Sequence, residues 1–143
     1  MTDVLLGEGK EGKVYRRGNE VVKIFNASSI SDEDGLRMSV LIEQMGSPFP
    51  DGVTMGKEGG VWVIRYPWFD SEPVNSLSRQ EVVQYLVQAG GLEVIADNFK
   101  PSNLRKLNQQ LIHVDIGRDL KPFNRSTFRD VCAKAFALLQ GMN

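Results

Sequence analysis

The hydrophobic pattern opens on short strand-like runs. A first run leads into Gly7-Glu8-Gly9-Lys10-Glu11-Gly12, a second covers Lys13-Val14-Tyr15-Arg16, and a turn at Arg17-Gly18-Asn19 precedes a third, Glu20-Val21-Val22-Lys23-Ile24-Phe25. The period then changes. Ser31-Asp32-Glu33-Asp34 has the acidic character of a helix start, and Met38, Leu41, Ile42 and Met45 recur at helical spacing. Gly46-Ser47-Pro48 and Pro50-Asp51-Gly52 break that helix, and two further runs, Val53-Thr54-Met55 and residues 61–66, flank a Gly59-Gly60 turn. Links this short permit hairpins but no crossovers, so the sheet is expected to be mostly antiparallel. After a junction at residues 67–73, Ser78-x-x-Glu81 opens a second helix with Val82, Val83, Leu86 and Ala89 on one face, ended by Gly90-Gly91. Leu111-Ile112-His113-Val114 reads as a short strand. Thr127-x-x-Asp130 opens a last helix carrying Phe128, Val131, Cys132, Ala135, Phe136 and Leu139. The fold class is α+β.

Composition narrows this picture modestly. The 143 residues amount to one domain, with 41% hydrophobic and 24% charged side chains, as in an ordinary globular protein. Seventeen basic against 18 acidic residues leave a net charge of -1, which gives no electrostatic case for nucleic acid or an anionic membrane as partner. The single cysteine, Cys132, has no internal disulfide partner and lies in an apolar helical pattern, where a buried, inert thiol is expected. The start of the chain has no basic segment followed by an apolar run, and no stretch approaches the ~20 apolar residues of a membrane span. A cytoplasmic protein is the expectation, with delivery into a host cell an open alternative.

Candidate chemistry starts at the glycines. Gly7, Gly9, Gly12 and Val14 fill the pattern G-x-G-x-x-G-x-V, and Lys23 lies on the next strand. A dinucleotide site needs a helix directly after the glycines, whereas this chain continues as strand, turn and strand. The stretch therefore resembles a protein-kinase glycine-rich loop with its phosphate-contacting lysine. A second cluster, Asn98-Phe99-Lys100-Pro101-Ser102-Asn103-Leu104, is followed by Val114-Asp115-Ile116-Gly117. Its order and spacing resemble the kinase catalytic loop D-L-K-P-x-N-L and the D-F-G motif. The wording of residues 7–15 is similar to atypical kinases of the RIO kind. The compact length is similar to minimal bacterial kinase-like proteins, YrbL-like proteins and secreted effector kinases among them.

The resemblance implies a minimal two-lobed fold: an antiparallel sheet with one helix over about residues 1–69, and a truncated helical lobe over about 70–143. It implies ATP and Mg²⁺ as cofactors, bound in a cleft near residues 67–70, and phosphoryl transfer to a protein hydroxyl, Ser or Thr before Tyr. Lys23 would meet the α and β phosphates, Asn103 and Asp115 would offer hard oxygen ligands to Mg²⁺, and Lys100 would steady the transferring phosphate. Tyr66 and Trp68 would occupy the segment that contacts adenine, mainly through backbone groups. The basic residues Lys10, Lys13, Arg16 and Arg17 are read as a solvated hairpin surface, and His113 as a core residue. A protein substrate or partner is expected, and the oligomeric state is left open.

Three departures qualify the implied activity. Asn98 stands where a kinase has its catalytic aspartate, and an amide cannot accept a proton as a carboxylate does. Asp97 lies one position earlier and would substitute only if the loop shifted. Met38 takes the place of the helix glutamate that pairs with the lysine, leaving Asp34 or Glu33 as candidates. Only 26 residues follow Gly117, with no A-P-E motif, so the usual peptide platform is missing. These departures keep a second reading open, a pseudokinase that binds nucleotide or a partner without efficient transfer. A small-molecule phosphotransferase shares the same core but needs an added lobe for which the chain has no room.

Overall fold

In the computed structural model, which describes residues 3–142, the opening runs form β1 (Val4–Glu8), β2 (Gly12–Arg17) and β3 (Glu20–Phe25). The later pair forms β4 (Thr54–Glu58) and β5 (Val61–Pro67). Together they make a five-stranded antiparallel sheet in the order β1-β2-β3-β5-β4. Turn chemistry dictates the pairing. Gly59 and Gly60 take φ of 58° and 86°, the left-handed pair that a tight two-residue hairpin requires. The helix α1 (Asp32–Glu43) starts where Ser31 Oγ accepts the Asp34 amide at 3.1 Å. Its buried face carries Met38, Leu41 and Ile42, as the periodicity predicts. It lies flat on Trp62, whose indole N–H donates to Asp32 Oδ1 at 3.0 Å. A Cβ on Gly35 would sit 2.1 Å from that ring, so only glycine permits the approach.

Two compact units divide the chain: Met1–Glu43 with Asp51–Phe69, and Gln44–Pro50 with Asp70–Asn143. The first is the sheet with α1. The second contains α2 (Arg79–Gly90), β6 (Val94–Ala96), a 3-10 turn (Pro101–Asn103), β7 (Leu104–Leu107), β8 (Gln110–His113), β9 (Leu120–Pro122) and α3 (Arg125–Met142). Ser78 and Glu81 form the reciprocal capping box at the start of α2. The core of this unit gathers Leu77, Val82, Tyr85, Leu104, Leu111 and Val131. Among the described residues, no helix is long and apolar enough to cross a membrane.

Several details differ from the sequence expectation. Val83 is 42% exposed and Tyr85 takes its place in the core. At about 100° per residue Tyr85 lies about 60° to one side of Val82 and Val83 about 100° to the other, so the buried face takes in Tyr85 and leaves Val83 out. The last helix begins at Arg125, before Thr127, because Asn124 Oδ1 accepts the Thr127 amide at 2.8 Å. Phe136 remains 40% exposed. Cys132 is half-buried, and burial pushes its thiol up, which keeps it protonated and unreactive at neutral pH.

His113 is fully enclosed. Its Nδ1 shares a 2.7 Å hydrogen bond with the Tyr85 hydroxyl, its ring lies 5.3 Å from that of Phe49, and its backbone N–H donates to Pro48 O at 2.8 Å. Burial pulls the imidazole from 6.5 down to about 4. The unfolded chain therefore takes up a proton below pH 6.5 that the native state refuses. Stability is expected to be whole above pH 6.5 and to fall between there and about pH 4, by about 3 kcal/mol in total. Thermal unfolding against pH for wild type and His113→Phe checks this. The variant should lack this limb, and parallel profiles would contradict it.

Candidate functional site

The sheet unit presents the glycine-rich turn and Lys23. Pairing of β2 with β3 sets Val14 opposite Lys23 and Gly12 opposite Phe25, so these four share one face. Lys23 is only 7% exposed, with its Nζ 5.2 Å from the Phe25 ring centroid. Its ion pair is with Glu11 Oε1 at 3.2 Å, on the glycine-rich turn itself. The partner left open by the sequence is thus Glu11; of the α1 candidates, Asp34 pairs with Arg37, one turn along the same helix, and Met38 is buried. The turn closes through the Gly9 amide, which donates to Gly12 O at 3.0 Å.

The three glycines have different reasons to be glycine. At Gly7 and Gly9 an added Cβ would meet nothing within 4 Å. At Gly12 it would sit 2.0 Å from the Ile24 carbonyl oxygen, so close packing of β2 on β3 demands glycine there. In the 66–68 segment, the Trp68 backbone N–H donates to Asn19 O at 2.8 Å, and the Arg16 guanidinium lies 4.6 Å from the indole centroid. That N–H is thereby committed within the sheet, which removes one backbone donor from those expected to meet adenine. Tyr66 sits in β5 opposite Val21.

The second unit holds the loop of Asn98 and the segment of Asp115. Phe99 anchors the loop. Its ring is 3% exposed and meets Tyr85 edge-on at 4.9 Å, while the adjacent Lys100 stays at the surface. Pro101 opens the 3-10 turn, where its missing N–H costs nothing. Asn103 is 6% exposed; its backbone N–H donates to Lys100 O at 2.9 Å and its Nδ2 to Asn98 O at 2.8 Å. The Val114 amide in turn donates to Asn103 O at 2.9 Å, fastening the loop to the strand that leads into Asp115.

Asn98 Nδ2 lies 3.3 Å from Asp115 Oδ2, 3.4 Å from Asp115 O and 3.3 Å from Asp119 Oδ2. This fixes the amide orientation, since a flip would set Oδ1 against two carboxylates. The opposite atom, Asn98 Oδ1, is buried with no hydrogen-bond partner. The structure thus brings Asn98, Asn103 and Asp115 together and adds Asp119, which the sequence reading missed although it lies two residues beyond Gly117. Asp97 goes elsewhere. Its carboxylate is 3.0 Å from Lys134 Nζ and 3.9 Å from Lys121 Nζ, in an ion cluster that ties the loop to α3 and β9.

The oxygen donors suit a hard cation. The Asn103 amide nitrogen is spent on Asn98 O, which leaves its oxygen as the ligating atom, and Asp115 supplies a carboxylate. Among the described residues no group of three or more His, Cys, Asp or Glu forms a metal cage. Mg²⁺ needs none, because it binds through one or two carboxylates and completes its shell with phosphate oxygens and water.

No family model matches the chain, and no curated protein matches it. Solved structures do. One is the crystal structure of the PknI kinase domain of Mycobacterium tuberculosis, in a cysteine-to-alanine mutant form, similar with a TM-score of 0.54 at 18% identity. The match covers 80% of this chain and 60% of that one, so the chain spans well under the full length of that kinase domain. A likeness at this identity speaks for fold alone. The five-stranded antiparallel sheet, its helix and the helical second unit therefore make this an α+β chain of small protein-kinase-like fold.

Proposed function

We propose that this chain binds Mg-ATP and transfers the γ-phosphoryl group to a protein hydroxyl, as a minimal Ser/Thr kinase similar to the YrbL-like and effector kinases, with a RIO-like glycine loop. The observation that carries this reading is the hydrogen-bonded set of Asn98, Asn103 and Asp115. It gathers hard oxygen donors in the segment that the motifs single out. In this reading Gly7 and Gly9 leave open backbone for phosphates, and Lys23 contributes the cationic contact. Asn103 and Asp115 hold Mg²⁺, which when bound neutralises phosphate charge. Lys100, exposed beside the loop, steadies the transferring group. The acceptor hydroxyl is positioned by Asn98, since Asp97 is engaged by Lys134 and Lys121.

One observation favours a second reading, a nucleotide-binding pseudokinase. Asn98 presents its donor nitrogen to two carboxylates and therefore offers no base. The loose transition state of phosphoryl transfer makes a base less critical than positioning and metal, so active chemistry remains the favoured reading.

Purified protein incubated with γ-labelled Mg-ATP is expected to label itself or an added protein. Lys23→Ala and Asp115→Ala should each lower labelling by about 10²–10³-fold, the usual loss for a removed electrostatic stabiliser. Labelling that survives both substitutions would refute the assignment. Stabilisation by Mg-ATP with no labelling would favour the pseudokinase.

A further inference from the structure

Lys23 is a charged side chain with 7% exposure, and burying an ammonium without a counter-charge is costly. Its orientation is therefore set by whatever carboxylate meets it. Here that group is Glu11 at 3.2 Å.

The position of Glu11 is itself built. Its carbonyl oxygen accepts the Asn26 amide at 2.8 Å and Ser29 Oγ at 2.7 Å. Asn26 Nδ2 also donates to the neighbouring Lys10 O at 3.3 Å. The limb of the glycine-rich turn that carries Glu11 is thus tied to the connection between β3 and α1. Gly12, which follows directly, is held against the Ile24 carbonyl. The carboxylate reaches Lys23 from a fixed piece of backbone, whereas Met38, the α1 residue that the motif register sets in the place of the glutamate, is an apolar side chain that is buried.

We infer that Glu11 is the positioning residue for Lys23, holding its ammonium toward nucleotide phosphate from within the glycine-rich turn. The inference rests on the nucleotide reading above. It carries a structural consequence: both members of the orienting pair lie between residues 11 and 23, while the contacts of Asn26 and Ser29 with Glu11 O couple the pair to the connection that leads into α1.

The test uses the full chain as wild type, Glu11→Gln, Glu11→Asp, Lys23→Ala and the Glu11→Gln/Lys23→Ala double variant. Two quantities are read: Mg-ATP affinity, and the reactivity of Lys23 toward an amine-acylating reagent followed by mass spectrometry. Glu11→Gln should weaken Mg-ATP about 10- to 100-fold, the usual effect of losing a group that orients a ligand-binding side chain. Glu11→Asp should recover part of that loss. The double variant should bind no worse than Lys23→Ala alone, since coupled residues are non-additive. Acylation of Lys23 should rise in Glu11→Gln, because the side chain is released from the carboxylate that holds it, and an unchanged melting temperature in that variant would separate this from general loosening.

Glu11→Gln binding Mg-ATP like wild type while Lys23→Ala fails to bind would overturn the inference. Wild-type protein that binds no Mg-ATP would overturn the nucleotide reading and this inference with it. That outcome is told apart because acylation of Lys23 still rises in Glu11→Gln.

Discussion

Gly12→Ala is expected to destabilise the protein by about 3 kcal/mol or more, beyond the usual cost of overpacking. The added Cβ would lie 2.0 Å from Ile24 O, 2.9 Å from Ile24 C and 2.9 Å from Phe25 Cα. All three are backbone atoms, so no rotamer change relieves the clash. The strands must separate where Gly12 pairs with Phe25, beside the pairing of Val14 with Lys23. For a chain of this size that corresponds to a loss of about 6–12 °C in melting temperature. Gly7→Ala and Gly9→Ala should differ sharply. Neither glycine has a positive φ, and neither would meet an atom within 4 Å. Their stability should stay within about 1 kcal/mol of wild type, and removing glycine's backbone freedom offsets part of any cost. Their cost should appear in Mg-ATP affinity instead, because a Cβ there crowds the open backbone. Thermal melts of the three variants decide the matter. Equal losses for all three would contradict the separation of one packing glycine from two cradle glycines.

The second large effect is expected from Asn98→Asp, the change that restores the residue type of an active kinase loop. In wild type the Asn98 amide nitrogen sits 3.3 Å from both Asp115 Oδ2 and Asp119 Oδ2. Aspartate replaces that donor with a third carboxylate. Two like charges about 4 Å apart repel by about 4 kcal/mol at an effective dielectric of 20. Asp119 is exposed, and screening reduces the repulsion, so a net loss of about 1–3 kcal/mol is expected without divalent cation. Mg²⁺ should restore most of it by neutralising the cluster, and the labelling rate should rise once Mg²⁺ is present. Melts of both proteins with and without MgCl₂ test this. Equal stability in the absence of metal, with no response to Mg²⁺, would mean that Asn98 does not separate these carboxylates in solution.

Legibility from sequence followed the range of each interaction. The Gly59-Gly60 hairpin and the Ser78–Glu81 capping box were readable because two to four adjacent residues determine them. The hairpin of β7 and β8 was not. Its turn residues Asn108 and Gln109 both take left-handed φ without glycine, and β7 reads as charged, Leu104-Arg105-Lys106-Leu107. The three-residue strands β6 and β9 are too short to show a period, and pairing across the unit is what makes them strands. The candidate site divides in the same way. Lys23, Asn103 and Asp115 announce themselves by motif. The partner of Lys23 depends on a fold-back of 12 residues, and the fate of Asp97 on Lys134, 37 residues away. Asp119 belongs to no spacing rule and appears only when Asn98 is seen to touch both carboxylates.

The most direct measurement is a thermal-unfolding titration of the wild-type chain with Mg-ATP, run beside Lys23→Ala and Asp115→Ala. A ligand that binds the native state alone adds about 2.7 kcal/mol at a hundred times its Kd. The melting temperature of wild type should therefore climb steadily with nucleotide, while both variants stay flat. A wild-type melting temperature that does not move at any Mg-ATP concentration, or one that climbs equally in all three proteins, would contradict the assignment of Lys23 and Asp115 to a nucleotide site.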